Sequence, residues 1–452
     1  MSLCAPLWSN ALVTDFPTAE KMMEWIGTIV AQGIRRPAYP ADRWVEEWSA
    51  QRLRDLGVTD VHLEPLQLPY WEPKRAELAV GDETFTGFPL PHAAGGDVEA
   101  ELMGEGGDLA GRIAVSELEL LRMPQSGFRL LATSTSDPDG DFDTLVQVRP
   151  FGARFREVMD PAIAAGAVGF VGLLTGFPWE TRDYYVPYDA VARPIPGVWL
   201  SAGDGRRLLA RLRDGAARAR LTVEVDRRPA TSHNVVGTLP GASDEWVIIA
   251  SHHDAPWASA VEDASGIAMV LAQAAYWAAR PRAERPHNLL FLLTAGHMAE
   301  AAGTRAFIAA HAARLPRVVL QVHLEHAARR CLAENGALVP TDEPEVRWWF
   351  TSRNPQLEAA VAAALVAHDL RRSLILRPDV FGPMPTTDGA YFHPAGVPLV
   401  HFHTAPMYLF DTSDTVDKIH VASLEPVGRA VTDIIAATAG LSAAAMRAGI
   451  AA

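Results

Sequence analysis

The sequence predicts an α/β protein, with a mixed or mostly parallel sheet covered on both faces and a smaller β-rich unit ahead of it. After Thr231, near-continuous apolar runs (WVIIA, HNLLFLLTAG, RVVLQVHLE, VPLVHFH) alternate with helical stretches. That is the signature of strands buried on both sides. Between about residues 76 and 226 the texture is different, with short runs of period two broken by Gly-Asp, Pro-His and Gly-Gly, as expected of short strands in a β-rich domain. At 452 residues the chain also exceeds the usual size of one domain.

The elements follow in order. From Pro17 to Ala50 apolar residues recur three and four apart (Met22, Trp25, Ile26, Ile29), which predicts helix, and 51–57 continues the register. In FREVMDPAIAAGAVGFVGLL a helix feeds a strand with Gly166 at the junction; IPGVWLSAGDGRRLLARLRDG reads as strand, turn and helix, and ARLTVEVD as a half-buried strand. The clearest later helix runs from about Ala264 to Ala279, with Ile267, Val270, Leu271 and Ala274 as its inward stripe. Three regions result: a helical region at 1–75 packing on the last of the three, a unit with its own core at 76–226, and an α/β domain at 227–452. The middle unit concentrates no acids, bases or nucleophiles, so a structural or substrate-gating role is expected of it.

Composition narrows the function. Hydrophobic residues at 49% and charged residues at 21% are ordinary for a folding chain. Forty basic against 54 acidic side chains give a net charge of −14, which disfavours nucleic acid and anionic lipid as partners. Cys4 and Cys331 form no CxxC pair, and neither an export leader nor a membrane-length apolar run is evident, so a cytoplasmic location is expected. The sequence leaves the oligomeric state, a homo-oligomer included, open.

In an α/β sheet, polar groups converge beyond the carboxyl ends of the strands without cost to the core. This sequence puts them there repeatedly: His252, His253 and Asp254 after the first run, Glu262 and Asp263 in a loop, His297 and Met298 after the next, then His323, Glu325 and His326, and later Asp388, His401, His403, Asp411 and Asp414. Several carboxylates brought together need a cation or donors to compensate them. Carboxylate and imidazole ligands suit zinc, manganese or iron. His252 and Asp254 share a side of their strand, so one can ligate while the other orients it. Glu325 shares a face with His323 while His326 points elsewhere, which makes Glu325 the better ligand candidate.

The blocks NVVGTLPGASDEWVIIASHHDAPW, VEDASGIAMVLAQA, LLFLLTAGHMAEAAGTRAFI, LQVHLEH, TTDGAYFHPAGVPLV and YLFDTSDTVDKIH together resemble the M28 family of zinc aminopeptidases over about residues 231–425. AIAAGAVGFVGLL and PIPGVWLSAGDGRRLLARL resemble the protease-associated domain that several members carry. The resemblance implies a three-layer catalytic domain with a mixed sheet, and one or two divalent ions, zinc foremost, with manganese or iron as alternatives. It implies metal ligands at His252, Glu262 (or its neighbour Asp263), Glu325 and Asp411, with Asp254 supporting His252. An ungapped comparison puts Phe410 rather than Asp411 at the late histidine of the family. Where the family has a Glu-Glu pair this chain has His297 and Met298. Thioether sulfur is a poor ligand for a hard metal, so a single-metal site is at least as well supported as two.

The implied reaction is hydrolysis of an amide or peptide C–N bond by metal-activated water in a specialised small substrate. His297 is either the base in it or a ligand or supporting residue, with Glu300 as a lesser alternative base. Trp257, His403 and Tyr408 are candidates for the substrate pocket. A conventional aminopeptidase, a glutaminyl-cyclase-like acyl-transfer enzyme and a noncatalytic binding protein are the alternatives.

Overall fold

The computed structural model describes residues 15–150, 157–213 and 217–448; the opening segment with Cys4 lies outside them. Helices Ala19–Val30 and Pro40–Asp55 begin the described chain. Thr18 caps the first, its hydroxyl accepting from the Lys21 amide at 3.3 Å, and Met22, Trp25, Ile26 and Ile29 are its buried face. Burying each of the aliphatic side chains contributes roughly 1.5–3 kcal/mol. The predicted continuous helix is broken between the two, where Gly33 takes a left-handed φ of 92° and the chain turns before Pro40 restarts the helix.

Strand Thr59–Val80 and strand Arg218–Leu239 run antiparallel along almost their whole length. The boundaries expected near 75 and 226 fall inside this ribbon, where Glu72 faces Asp226 and Arg75 faces Glu224. One end of the ribbon joins strands Gly96–Met103, Ile113–Glu119, Gly169–Gly176 and Gly197–Leu200, which enclose a small core of their own around Leu78, Phe85, Leu102, Ile113, Val171 and Leu221. The other end joins the main sheet.

The segment after Glu119 departs from the expected self-contained unit. Strands Leu121–Pro124 and Val146–Arg149 pair with each other, and Ser134–Ser136 adds to the far edge of the main sheet beside Ser373–Leu376. Met123 and Phe142 bury themselves with Trp348, Phe350 and Leu374 rather than in the middle core. The 121–149 segment therefore lies over the main sheet.

In that sheet, Asn288–Thr294, Trp246–His252, Val318–Leu324 and Leu399–His403 are neighbours and all parallel, flanked by antiparallel Arg218–Leu239 on one side and Arg347–Thr351 on the other. The sheet is mixed, and its four central strands end at one edge. Helix Ser265–Ala278 is buried on almost every residue instead of along one stripe. It lies between the sheet and helices 19–30 and Val421–Ala436, which is why its sequence is apolar all round. No helix among the described residues is long and apolar enough to cross a membrane.

Candidate active site

The strands deliver a cluster of buried imidazoles and carboxylates to that edge. His252 ends strand 246–252, and its Nδ1 lies 3.0 Å from the carbonyl of Asp254, so Nδ1–H donates there and Nε2 keeps its lone pair. His326 does the same, with Nδ1 2.7 Å from the Thr404 carbonyl. Nδ1 of His297 is 3.1 Å from Asp388 Oδ1. Three imidazoles thus turn Nε2 toward Glu262: His252 at 3.4 Å and His297 at 3.2 Å from Oε1, His326 at 2.7 Å from Oε2. The rings of His252 and His297 stack at 4.1 Å.

The loop that carries Glu262 is held from three directions. Asp414 accepts from the amides of Ala260, Val261 and Glu262 at 3.2, 2.8 and 2.9 Å. Arg35, fully buried, donates Nη2 to the carbonyls of Ser259 at 2.7 Å and Glu262 at 3.2 Å. Asp263 accepts from the Gly266 amide at 3.0 Å and bonds Ser251, and its Oδ2 lies 3.7 Å from His252 Nε2, so Glu262, which meets three imidazoles more closely, is the nearer of the two acids. A Cβ at Gly266 would lie 2.2 Å from Asp263 Oδ2 and 2.5 Å from the Leu324 carbonyl, which explains a glycine at the helix start.

Asp254 does not reach the ring of His252 through its carboxylate. Its two oxygens accept from the amides of His297 and Met298 at 2.9 and 2.8 Å and so fix the turn entered through Gly296, whose φ is 73°. Met298 is buried in the core. Glu325 is already engaged, 2.7 Å from His323 Nε2 and accepting from the Asp388 amide at 2.8 Å, so it is His326 rather than Glu325 that turns toward Glu262. The carboxylate of Asp411 sits among Ser413, Thr181 and Trp179, outside the cluster. Phe410 packs on Tyr188 at 4.8 Å, and Tyr188 on His297 at 5.3 Å.

Burial and the facing carboxylates set the electrostatics of the cluster. Burial pushes the His252 imidazole down to about 3. Burial also opposes charge on His297, but Glu262 and Asp388 outweigh it and hold that imidazole well above the usual histidine range. His252 Nε2, both oxygens of Glu262 and His326 Nε2 are buried and have only the facing imidazoles and carboxylate for company, with no backbone or hydroxyl group bonded to them. Such atoms are costly unless something binds them.

Among the described residues, two groups of side chains present ligand atoms within 4.8 Å of one another: His252, Glu262 and His297, and Asp42, Glu46 and His253. The second is closed by its own hydrogen bonds. Asp42 meets His253 Nδ1 at 2.8 Å and the Ala38 amide at 2.7 Å, and Glu46 meets the His233 amide at 2.8 Å and the Ser232 hydroxyl at 2.5 Å.

A cavity of about 430 Å³ opens beside His297 and Asp388, walled by Leu121, Met123, Phe381 and Tyr391, with Arg149 and Tyr188 in its lining. None of the three expected pocket residues lines it. Trp257 donates Nε1 to the Phe410 carbonyl at 3.0 Å and stacks on Arg36, while Tyr408 bonds the Arg329 carbonyl at 2.8 Å. His403 is buried between Trp348 and Phe350, behind His326. Arg149 and Tyr188 come from the middle region, where no local pattern marks them, and Asp388, part of the strand-end pattern, holds His297.

The profile of Peptidase family M28 matches residues 234–435, the stretch that contains the whole imidazole and carboxylate cluster. Residues 234–435 are homologous to the M28 metallopeptidases. The chain is a metal-dependent, M28-like peptidase or amidohydrolase acting on peptide or amide bonds. Solved structures similar in fold over nearly all of it include an aminopeptidase from Aneurinibacillus sp. strain AM-1 (20% identity, TM-score 0.64, 95% of this chain and 96% of that one). Others are the zinc aminopeptidase BSAP from Bacillus subtilis (16%, 0.69, 93% and 95%) and a Peptidase M28 precursor from Shewanella amazonensis (20%, 0.70, 93% and 92%). At these identities they establish a zinc-aminopeptidase-like fold. No curated protein matches this M28 homologue in sequence.

Proposed function

We propose that this M28 homologue is an aminopeptidase-type hydrolase of short peptides, working with one divalent cation, zinc foremost. The conventional aminopeptidase reading is preferred to a specialised small amide because two of the similar structures, at TM-scores of 0.64 and 0.69, are named as aminopeptidases. The single observation that carries the metal reading is the convergence of buried His252 Nε2, Glu262 Oε1 and Oε2, and His326 Nε2, which meet one another and His297 but no backbone or hydroxyl group. Two nitrogens and a carboxylate suit zinc, and those side chains would hold it. A cation bound there supplies Lewis acidity, polarising the scissile carbonyl and acidifying water.

The remaining work falls to the chain's own groups. His297 borders the cavity with its side chain 11% exposed, whereas His252 and Glu262 are fully buried. With its Nδ1 proton committed to Asp388, its Nε2 is the atom that would take the proton of the attacking water and return it to the leaving nitrogen, in the neutral ring favoured when a cation at Glu262 offsets the carboxylate that otherwise holds the imidazole up. Asp388 fixes the ring, itself anchored by the hydroxyls of Thr294 and Thr304 at 2.6 and 2.7 Å. Glu325 and Asp411 are assigned positioning roles, and a homo-oligomer is not required by any of these contacts.

The test separates ligand from base. In zinc-loaded protein, His326→Ala should lose most of the metal, while His297→Gln should retain it and lose about 10²–10⁴-fold in kcat on leucine p-nitroanilide. Metal lost with His297→Gln and kept with His326→Ala would exchange the two roles. No turnover of any aminoacyl amide or dipeptide by metal-replete protein would end the aminopeptidase reading.

A further inference from the structure

Strand Ile113–Glu119 has an open edge. On one side it pairs in parallel with Gly169–Gly176 along its length, but on the other Gly96–Met103 meets it only where Leu102 faces Ile113 and Met103 faces Ala114. There the neighbour turns away, the Gly104 carbonyl accepting from the Gly107 amide at 3.3 Å. From 115 to 119 no strand lies beside this edge among the described residues, so alternate residues present backbone N–H and C=O groups without a ladder partner. A cavity of about 520 Å³ borders the vacated place, lined among others by residues 104–106 and 114–119. It shares no lining residue with the cavity beside His297.

The two faces of the edge differ. Ala114, Ser116 and Leu118 share a face with Phe170 and Trp199, whose ring lies so close over Gly172 that a Cβ there would be 2.2 Å from it. Glu117 and Glu119 belong to the opposite face, and exposed Glu105 and Glu157 complete the acidic part of the lining. Glu105 and Glu117 accept from the hydroxyls of Ser116 and Thr175 at 2.6 and 2.5 Å, and among the described residues no basic side chain lines the cavity. Among the described residues, too, no three of these carboxylates bring oxygens within 4.8 Å of one another, so one small divalent ion does not fit them. Acids spread along an apolar trough fit a chain whose charges are spaced along it. Main-chain hydrogen bonds to an open edge give such a chain affinity, and its alternate side chains give specificity.

We propose that this edge is a docking groove for an extended, basic segment of a partner polypeptide, which adds as a strand beside residues 115–119. Alternate lysine or arginine side chains of the segment meet Glu117 and Glu119, with Glu105 and Glu157 adding to the same field, and the apolar side chains between them enter the cavity over Phe170 and Trp199. The groove is separate from the hydrolase site and does not depend on the reading given for that site.

Fluorescence polarisation with zinc-loaded full-length protein tests it. The probe is the peptide Gly-Lys-Val-Lys-Val-Lys-Gly amide, its N-terminus capped by fluorescein so that an aminopeptidase cannot shorten it. It should bind about 10-fold or more tightly than the same peptide with glutamate in place of lysine. Methylating the backbone nitrogens of one alternate set of its residues should weaken binding by about 10-fold, while methylating the other set should leave it nearly unchanged, because only one set faces the edge. The double variant Glu119→Lys with Glu157→Lys should lose about 10-fold in affinity, and His297→Gln should bind the peptide as the wild type does. No saturable binding, equal affinity for the lysine and glutamate peptides, the same response to both methylated sets, or wild-type affinity in the double variant would each overturn the proposal. Loss of binding in His297→Gln would overturn it as well, by placing the peptide in the catalytic cavity. If the double variant does not fold, the ratios among the peptides on the wild type decide.

Discussion

Replacing Gly266 by alanine tests whether the loop bearing Glu262 is as tightly determined as its contacts imply. The added Cβ would lie 2.2 Å from Asp263 Oδ2, 2.4 Å from Ser251 Oγ and 2.5 Å from the Leu324 carbonyl oxygen. The last is backbone at the end of a central strand, and Asp263 is held by the amides of Gly266 and His326 at 3.0 and 3.2 Å, so neither can step aside cheaply. Overpacking a filled site costs typically about 1–3 kcal/mol. With three contacts this short, the upper end, about 3 kcal/mol, is expected, and relief requires the helix start to move away from the strand and carry Glu262 out of line with His252. The assay is urea unfolding followed by tryptophan fluorescence, together with bound zinc after dialysis. Gly266→Ala should lower the midpoint and release zinc. Gly27→Ala is the control: it lies within helix 19–30 with nothing near the added methyl, so its stability should rise by a few tenths to about 1 kcal/mol, with a higher midpoint and zinc unchanged. A Gly266→Ala protein with wild-type midpoint and metal content would refute the reasoning.

Further outcomes follow from other contacts. Asp388→Asn should retain the fold but lower kcat by about 10²-fold, because His297 loses its charged anchor; unchanged kcat on leucine p-nitroanilide would contradict the role. Glu345 has a folded pKa of about 7 against an ordinary 4.5, so the folded state binds the extra proton between those values and stability falls as pH rises through that window. The loss is on the order of 3 kcal/mol at most, and Glu345→Gln should flatten it, read as urea midpoints at pH 5 and pH 8. Asp42→Ala strands buried His253, which Asp42 and its neighbours hold up at about 10, and should cost about 3–5 kcal/mol without reducing bound zinc; loss of zinc would mean that this second group belongs to the metal centre.

The parallel core was legible because buried strands write themselves as apolar runs: Trp246–His252, Asn288–Thr294, Val318–Leu324 and Leu399–His403 each coincide with one. The edge where chemistry gathers was legible for the same reason, and His252, Glu262 and His297 meet there. What alternation could not resolve was direction beyond the strand. His326 follows Leu324 by two residues but enters a turn with φ of 58°, so strand-based facing, which favoured Glu325, no longer applies. Asp411 and Phe410 are adjacent, and only the packing of Phe410 on Tyr188 separates them. The cavity walls come from 121–149 and from Tyr188, far away in sequence, and nothing in a local pattern reveals that a segment of one unit lies over another.

The most direct test of the central claim is the zinc content of the protein after loading and exhaustive dialysis, by elemental mass spectrometry. One equivalent per chain in the wild type and close to none in Glu262→Ala, with both folded by circular dichroism, is the predicted result. A folded wild type that keeps no zinc, manganese or iron, or a Glu262→Ala protein that keeps its full equivalent, would contradict it.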